Sequence, residues 1–266
     1  MTNLVVLTDP ARELAELCAA LQVETNKTGE TFLAGRFAVD PWSREFFEII
    51  FTITERCGTL QDIVRDLEID DDFRDEMVGH VNAIMAAFSA QAMRAQWKDV
   101  GNKHLSPINV GPLKALSASV RQRVAYRKLD TAELAEILEE TGNLLDWLRE
   151  HQLEEQDFIR QAMIEGLERF QFRLERLAWL GWGYTLDSLR EIIAAYMLLE
   201  REGIDPQDNP NAAAVLKKVG SVIQSVYERV ATAKGVVETG DWLLKAYGAG
   251  SLVYQTGRPL IAGLLT

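Results

Sequence analysis

The sequence predicts an all-α fold: a multi-helix bundle with a long central coiled-coil-like helix and a C-terminal helical segment. Three observations carry this expectation. Helix punctuation recurs along the chain, in pairs such as Asp9-Pro10, Asp40-Pro41 and Asn209-Pro210, where a capping side chain precedes a Pro at the first helical position. Apolar residues return at spacings of three and four rather than two. The one strand-like run, Leu4-Val5-Val6-Leu7, is too short to organise a sheet.

In chain order, the first helix is expected over 9–24, opened by Asp9-Pro10. Asp40-Pro41 opens a second over 41–56, and Cys57-Gly58 reads as its stop. A shorter helix over 60–68 follows. The acidic run Asp70-Asp71-Asp72 then heads a helix over 72–97, where the macrodipole favours negative charge. Residues 99–112, with two Gly and two Pro, read as a loop leading into a helix over 112–128. Asp130 and Glu133 have the spacing of a capping box, which predicts a helix over 131–141.

The longest helix is expected over 143–180. Met163, Leu167, Phe170, Leu174 and Leu177 make a coiled-coil seam there, and Glu165 precedes Arg169 by one turn on the polar side. Helices over 186–202, 210–235 and 240–256 complete the chain, with a short turn near 260–265. Glu202-Gly203 and Pro206 end the first of them. In the second, Val215, Val219, Val222, Val226, Val230, Ala233 and Val237 form a β-branched seam. Val is a mediocre helix former, so packing must stabilise this helix. Two seams of similar length suggest either an antiparallel pair within one molecule or a dimer interface. The expected organisation is a helical body over 1–208 and a packing or assembly segment over 209–266.

Composition bounds the function classes. With 47% hydrophobic and 26% charged residues in 266, the chain has the make-up of a folded globular protein with a sizeable core. The stretch Met1 to Asp9 has no basic region and does not read as a signal peptide. The longest run without Lys, Arg, Asp or Glu, Met77 to Met93, contains His80, Asn82, Ser89 and Gln91 and does not read as a membrane span. Cys18 and Cys57 make no metal or redox motif and read as buried free thiols, which suggests a cytoplasmic protein. No nucleotide-binding, zinc-protease, hydrolase-elbow or calcium-loop motif occurs, so no cofactor and no metal are expected.

Charge is the most informative feature. The formal net charge is −12, yet Lys98, Lys103, Lys114, Arg121, Arg123, Arg127 and Lys128 face only Asp99 in their stretch of chain. A cationic strip in an acidic protein either meets its own acidic helices, here the carboxylates of residues 131–157, or binds an anionic partner. Asn102, Lys103, His104 and Ser106 in the preceding loop are residue types that hold phosphate, and a helix beginning near Pro112 would add free amides. The candidate anion-binding set is Lys98, Asn102, Lys103, His104, Lys114, Arg121, Arg123, Arg127 and Lys128, of which Lys114, Arg121 and Lys128 share a helix face at seven-residue spacing.

A second constellation lies in Arg74-Asp75-Glu76-Met77-Val78-Gly79-His80. An Arg, a polar residue directly after it and a His a few positions on resembles the signature of the HEPN ribonucleases, small all-helical domains that usually act as dimers. The resemblance covers these seven residues. It implies that His80 moves a proton at a ribose 2′-hydroxyl while Arg74 stabilises charge on the scissile phosphate. Two further segments carry weight. In Trp179-Leu180-Gly181-Trp182-Gly183-Tyr184, aromatics alternate with Gly and either stack a planar ligand or pack over a helix end. The tail from Gly240 to Leu265, with Trp242, Lys245, Tyr247, Tyr254 and Arg258, either lies at a membrane interface or packs in an oligomer.

The leading expectation is a non-enzymatic helical interaction or scaffold protein that self-associates, as a homo-oligomer or with a protein partner. It would dock an anionic partner such as nucleic acid on residues 98–128. Val215, Val219, Val222, Val226 and Val230 are its expected interface residues. The alternatives are a HEPN-like ribonuclease using Arg74 and His80, and a peripheral membrane effector acting through the tail.

Overall fold

The computed structural model describes residues 6–153, 156–201, 207 and 209–230. Their secondary structure is almost wholly helical, as expected. The short strands Leu7–Thr8 (β1) and Tyr126–Arg127 (β2) pair as a two-stranded ladder. The described residues form two compact units, one of residues 8–125 with 176–184, the other of 126–175 with 185–230 and residues 6–7, as far as these are described. The boundary expected at 208/209 falls inside the second of these.

In the unit built on residues 8–125, Pro10–Leu21 (α1) starts as its punctuation dictates, with Asp9 accepting from the Arg12 amide at 2.9 Å. Gly29–Phe37 (α2) follows and ends at Ala38, whose left-handed backbone closes the helix. Arg44–Arg65 (α3) differs from expectation at both ends. Asp40-Pro41 forms a turn, and the helix starts three residues later, capped by Ser43 through the Phe46 amide at 3.1 Å. It then runs straight through Gly58. A Cβ on that glycine would meet nothing within 4 Å, while Cys57 and Leu60 beside it are fully buried. Burial on both sides of one half-buried glycine outweighs the glycine's cost of about 1 kcal/mol. Gly58 is therefore not a stop.

The helix expected over 72–97 is in fact two, Asp71–Ala86 (α4) and Ala90–Arg94 (α5), separated by a turn and restarted by a Ser89 cap. Gly101–His104 (α6) and Pro107–Val120 (α7) lie where a loop and a helix beginning at Pro112 were expected. Pro112 sits inside α7, and β2 replaces the last turns of the expected helix. Helices α1, α7, α4 and α3 pack in that cyclic order, each against two neighbours. The core holds Leu14, Leu17, Phe46, Ile53, Met77, Ile84 and Leu113. Trp97 is fully buried beside them, with its indole N–H on the Leu21 carbonyl at 3.0 Å.

The other unit is also a four-helix arrangement. Thr131–Glu150 (α8) begins with the expected capping box of Asp130 and Glu133. Asp157–Glu175 (α9) follows, then Leu177–Asp187 (α10), which is kinked at Gly181 and lies mostly in the first unit. Leu189–Arg201 (α11) and Pro210–Val230 (α12) complete the described chain. The long central helix over 143–180 does not form. Its place is taken by the second half of α8 and by α9, separated around residues 151–156. The break is held by Arg160, only 6% exposed, which donates to the Leu148 carbonyl at 2.6 Å and to both oxygens of Asp157. Asp157 in turn accepts from the Leu153 amide at 3.0 Å.

The cyclic order here is α8, α9, α11, α12. The two predicted seams therefore sit at opposite corners of one core: α12 packs on α8 and α11, and α9 packs on α8 and α11. Met163, Leu167, Phe170 and Leu174 are buried, whereas Leu177 falls beyond α9. Where α9 meets α11, Gly166 allows contact so close that a Cβ there would stand 2.6 Å from Ile192.

Candidate functional site

The three arginines of the cationic strip are engaged within the chain. Arg121, at the end of α7, places Nε 3.0 Å from Asp9 Oδ2, and the same oxygen accepts from Ser117 at 2.5 Å. Asp9 has no exposed surface, so its charge depends on this arginine and hydroxyl. The capping residue of α1 is thus also the anchor of α7. Arg123 donates to the Asp66 carbonyl at 2.9 Å, and Arg127 is bonded to Glu133, inside the α8 capping box. The face expected to join Lys114, Arg121 and Lys128 does not exist, because helical geometry ends at Val120. Lys98, Lys103 and Lys114 are exposed, and their ammonium groups meet no carboxylate among the described residues.

The loop and the Arg/His constellation, separate in sequence, come together. His80 Nδ1 lies 3.1 Å from Asn109 Oδ1, and Asn109 Nδ2 donates to the His104 carbonyl at 2.9 Å. That second bond fixes the orientation of the Asn109 amide. Its oxygen faces His80 Nδ1, and the ring's Nε2 lies 3.6 Å from Glu76. Arg74 is occupied differently. It donates to the carbonyls of Leu67 and Ile69 at 3.1 and 3.0 Å and is bonded to Asp71, closing the turn between α3 and α4. The two residues are six apart on one helix, about 120° off a shared face. The loop's other features are structural as well. Gly101 lies against Trp97, where a Cβ would stand 2.2 Å from the ring, and Asn102 donates its amide to the Trp97 carbonyl at 2.8 Å. At the true start of α7, the amides of Asn109 and Val110 already bond the Ser106 carbonyl.

The Trp179–Tyr184 segment closes over a buried ion pair that sequence reasoning missed. Glu13 of α1 and Arg56 of α3 approach to 3.7 Å, both largely buried. Glu13 Oε2 accepts from the Trp182 amide at 3.1 Å, and Arg56 donates to the Trp179 carbonyl. Gly181 sits directly on the pair at φ 75°, ψ 163°, and a Cβ there would stand 2.7 Å from Glu13 and 2.8 Å from Arg56. Burial pushes the Glu13 carboxyl up to about 7, against the opposing pull of Arg56. The same burial raises the thiols of Cys18 and Cys57, both buried and reduced. Phe37 packs its edge on Trp179 at 5.2 Å. Gly181 therefore admits the chain to the polar pair.

Of the expected interface residues, Val215, Val219, Val226 and Val230 are buried inside their own unit, while Val222 is half-buried. Arg229 ties the same helix to Glu140 at 2.6 Å. Val237, the 240–256 helix and the aromatic tail lie outside the described residues. In that unit a shallow apolar groove of about 360 Å³ runs between α9 and α11, lined by Phe158, Ala162, Ala195 and Leu198 and closed by the Arg169–Glu191 pair. Among the described residues no helix is long and apolar enough to cross a membrane, and no acidic, His or Cys cluster could hold a metal.

The surface feature with the clearest build is on α3. Trp42, Phe47 and Phe51 are 44%, 53% and 58% exposed. Trp42 adopts φ 63°, a left-handed backbone rare for a bulky residue. This conformation completes the turn begun at Asp40 and stands the indole over the head of α3, 5.8 Å from Phe46 and 5.7 Å from Phe47. Phe47 and Phe51 are one turn apart, so the three rings form a continuous ridge, extended by half-buried Ile50 and anchored on fully buried Phe46 and Ile49. Comparison of the chain with protein-family models, with curated proteins and with solved structures finds no match.

Proposed function

We propose that this chain is a non-enzymatic helical interaction protein that binds a protein partner through the Trp42–Phe47–Phe51 face. The observation that carries the reading is that ridge of exposed rings, one of them held outward by a strained backbone. Leaving aromatic rings in water forgoes about 1.5–3 kcal/mol each relative to burial. A Trp held at positive φ adds about 1–3 kcal/mol of strain. Clustered aromatics are also the residues that dominate protein–protein hot spots. The internal engagement of Arg121, Arg123 and Arg127 weighs against the same strip holding a polyanion, and the carbonyl bonds of Arg74 weigh against its use on a phosphate.

The test is in-cell photo-crosslinking of the full chain with a benzoylphenylalanine at position 47. A discrete adduct that disappears in Phe51→Lys supports the reading. No adduct, or one that Phe51→Lys leaves undiminished, overturns it.

A further inference from the structure

Resting on the reading of the α3 face as a docking surface, we infer that its occupant is a cationic amphipathic helix of the partner protein. The rim of the face carries the argument. Asp40, Glu45 and Glu55 are exposed and Glu48 is half-buried, and against these four carboxylates the same stretch offers one exposed cation, Arg44. Among the described residues none of the four carboxylates has a hydrogen bond or ion pair. Glu48 and Glu55 stand three residues before and four after Phe51, which puts both on one flank of the aromatic ridge. On the other flank α3 turns its Phe46, Ile49 and Ile53 into the core. The face is therefore an apolar stripe two turns long with an acidic edge on its solvent side.

That pattern selects among occupants. A second copy docked through the same face would bring Glu48 and Glu55 against their own equivalents. Nucleic acid and anionic lipid would meet the same repulsion. An amphipathic helix with apolar anchors one turn apart matches the spacing of Phe47 and Phe51, and Lys or Arg beside those anchors would meet Glu48 and Glu55. Trp42, raised at the head of α3, limits how far such a helix can slide along the ridge.

The experiment titrates the full chain with three fluorescent synthetic peptides of about five helical turns. They share one Leu face, and their polar positions are all Lys, all Gln or all Glu. The Lys peptide should bind, the Gln peptide about tenfold more weakly, and the Glu peptide not measurably. The paired substitution Glu48→Gln with Glu55→Gln should weaken the Lys peptide about tenfold, and rising salt should do the same. The control pair Glu139→Gln with Glu150→Gln, two exposed carboxylates of α8, should change nothing. An equal loss in the control would mean that net charge alone attracts the peptide, and the inference falls.

The inference also falls if Lys and Gln peptides bind equally and only Phe47→Ser with Phe51→Ser weakens them. In that case the docking face stands without charge selection. If the aromatic substitutions leave all three peptides unaffected, the docking face itself is refuted. Tighter binding to phosphatidylserine-containing vesicles than to the Lys peptide would replace the protein partner by a membrane surface and overturn the inference.

Discussion

Glu13→Gln tests whether burial or attraction dominates the Glu13–Arg56 pair. The carboxylate is 3.7 Å from the guanidinium, too far for a hydrogen bond, and Glu13 Oε1 and Arg56 Nη2 are buried with no hydrogen-bond partner. Desolvation therefore outweighs the Coulomb gain, which is why the Glu13 carboxyl is raised from the ordinary 4.5 to about 7. The sign follows from proton counting. Between pH 4.5 and 7 the native state holds a proton that the unfolded chain has released, so stability is full below 4.5 and is lost as pH rises through 7. The loss amounts to about 3 kcal/mol, and it vanishes in the Gln variant, which carries no titrating group there. Denaturant-dependent hydrogen exchange of α1 and α3 amides, followed from pH 4.5 to 8 at constant ionic strength, reads the difference. The variant should gain on the wild type as pH rises, levelling off above 7. A wild type that gains on the variant with pH would show that attraction wins and would refute the argument.

Gly181→Ala should destabilise the same unit by about 2–5 kcal/mol, since a left-handed backbone and a Cβ collision with a buried ion pair add; melting of the variant checks it. Arg121→Glu should cost about 3 kcal/mol or more, because it sets a second carboxylate against fully buried Asp9. Unchanged stability together with loss of binding to a polyanion would restore the strip as a ligand site. Val226→Asp should unfold or grossly loosen the four-helix unit of α8, α9, α11 and α12, whereas Val222→Asp, at the half-buried edge of α12, should cost about 1 kcal/mol; circular dichroism melts distinguish the two.

Helix class and many starts were legible because their signals are local. Asp9-Pro10, the Asp130/Glu133 box and Asn209-Pro210 each mark a true N-terminus. The failures share a cause: whether a helix continues is decided by what its flanks bury. Gly58 looks like a stop, yet Cys57 and Leu60 are buried around it. No Gly or Pro stands between Glu150 and Asp157, yet α8 ends at the one and α9 starts at the other, with Arg160 reaching back to the Leu148 carbonyl. The Glu13–Arg56 pair had no sequence signal, since its third member, the Gly181 turn, lies more than a hundred residues away. Phe47 and Phe51 were invisible as a surface feature because a phenylalanine in a helical pattern is read as core unless the other face of the helix is known to be filled.

Of the seven cations of the strip, three arginines have partners that their place in the sequence does not reveal. Net charge along a sequence counts side chains, whereas binding depends on which of them lack partners in space. Arg121 answers Asp9, which lies 112 residues earlier in the chain, and Arg127 answers Glu133. Arg123 meets no carboxylate among the described residues and donates to the Asp66 carbonyl. The compensating feature is on α3. Glu45, Glu48 and Glu55 sit in a stretch whose composition is unremarkable, but there the carboxylates are the ones left without partners. An exposed aromatic ridge beside uncompensated negative charge is a stronger pointer to a partner than guanidinium groups already engaged from within, as Arg121, Arg123 and Arg127 are. The arginines of the strip are tied into the fold, Lys98, Lys103 and Lys114 stay exposed, and the α3 face joins exposed rings to carboxylates that meet no cation among the described residues.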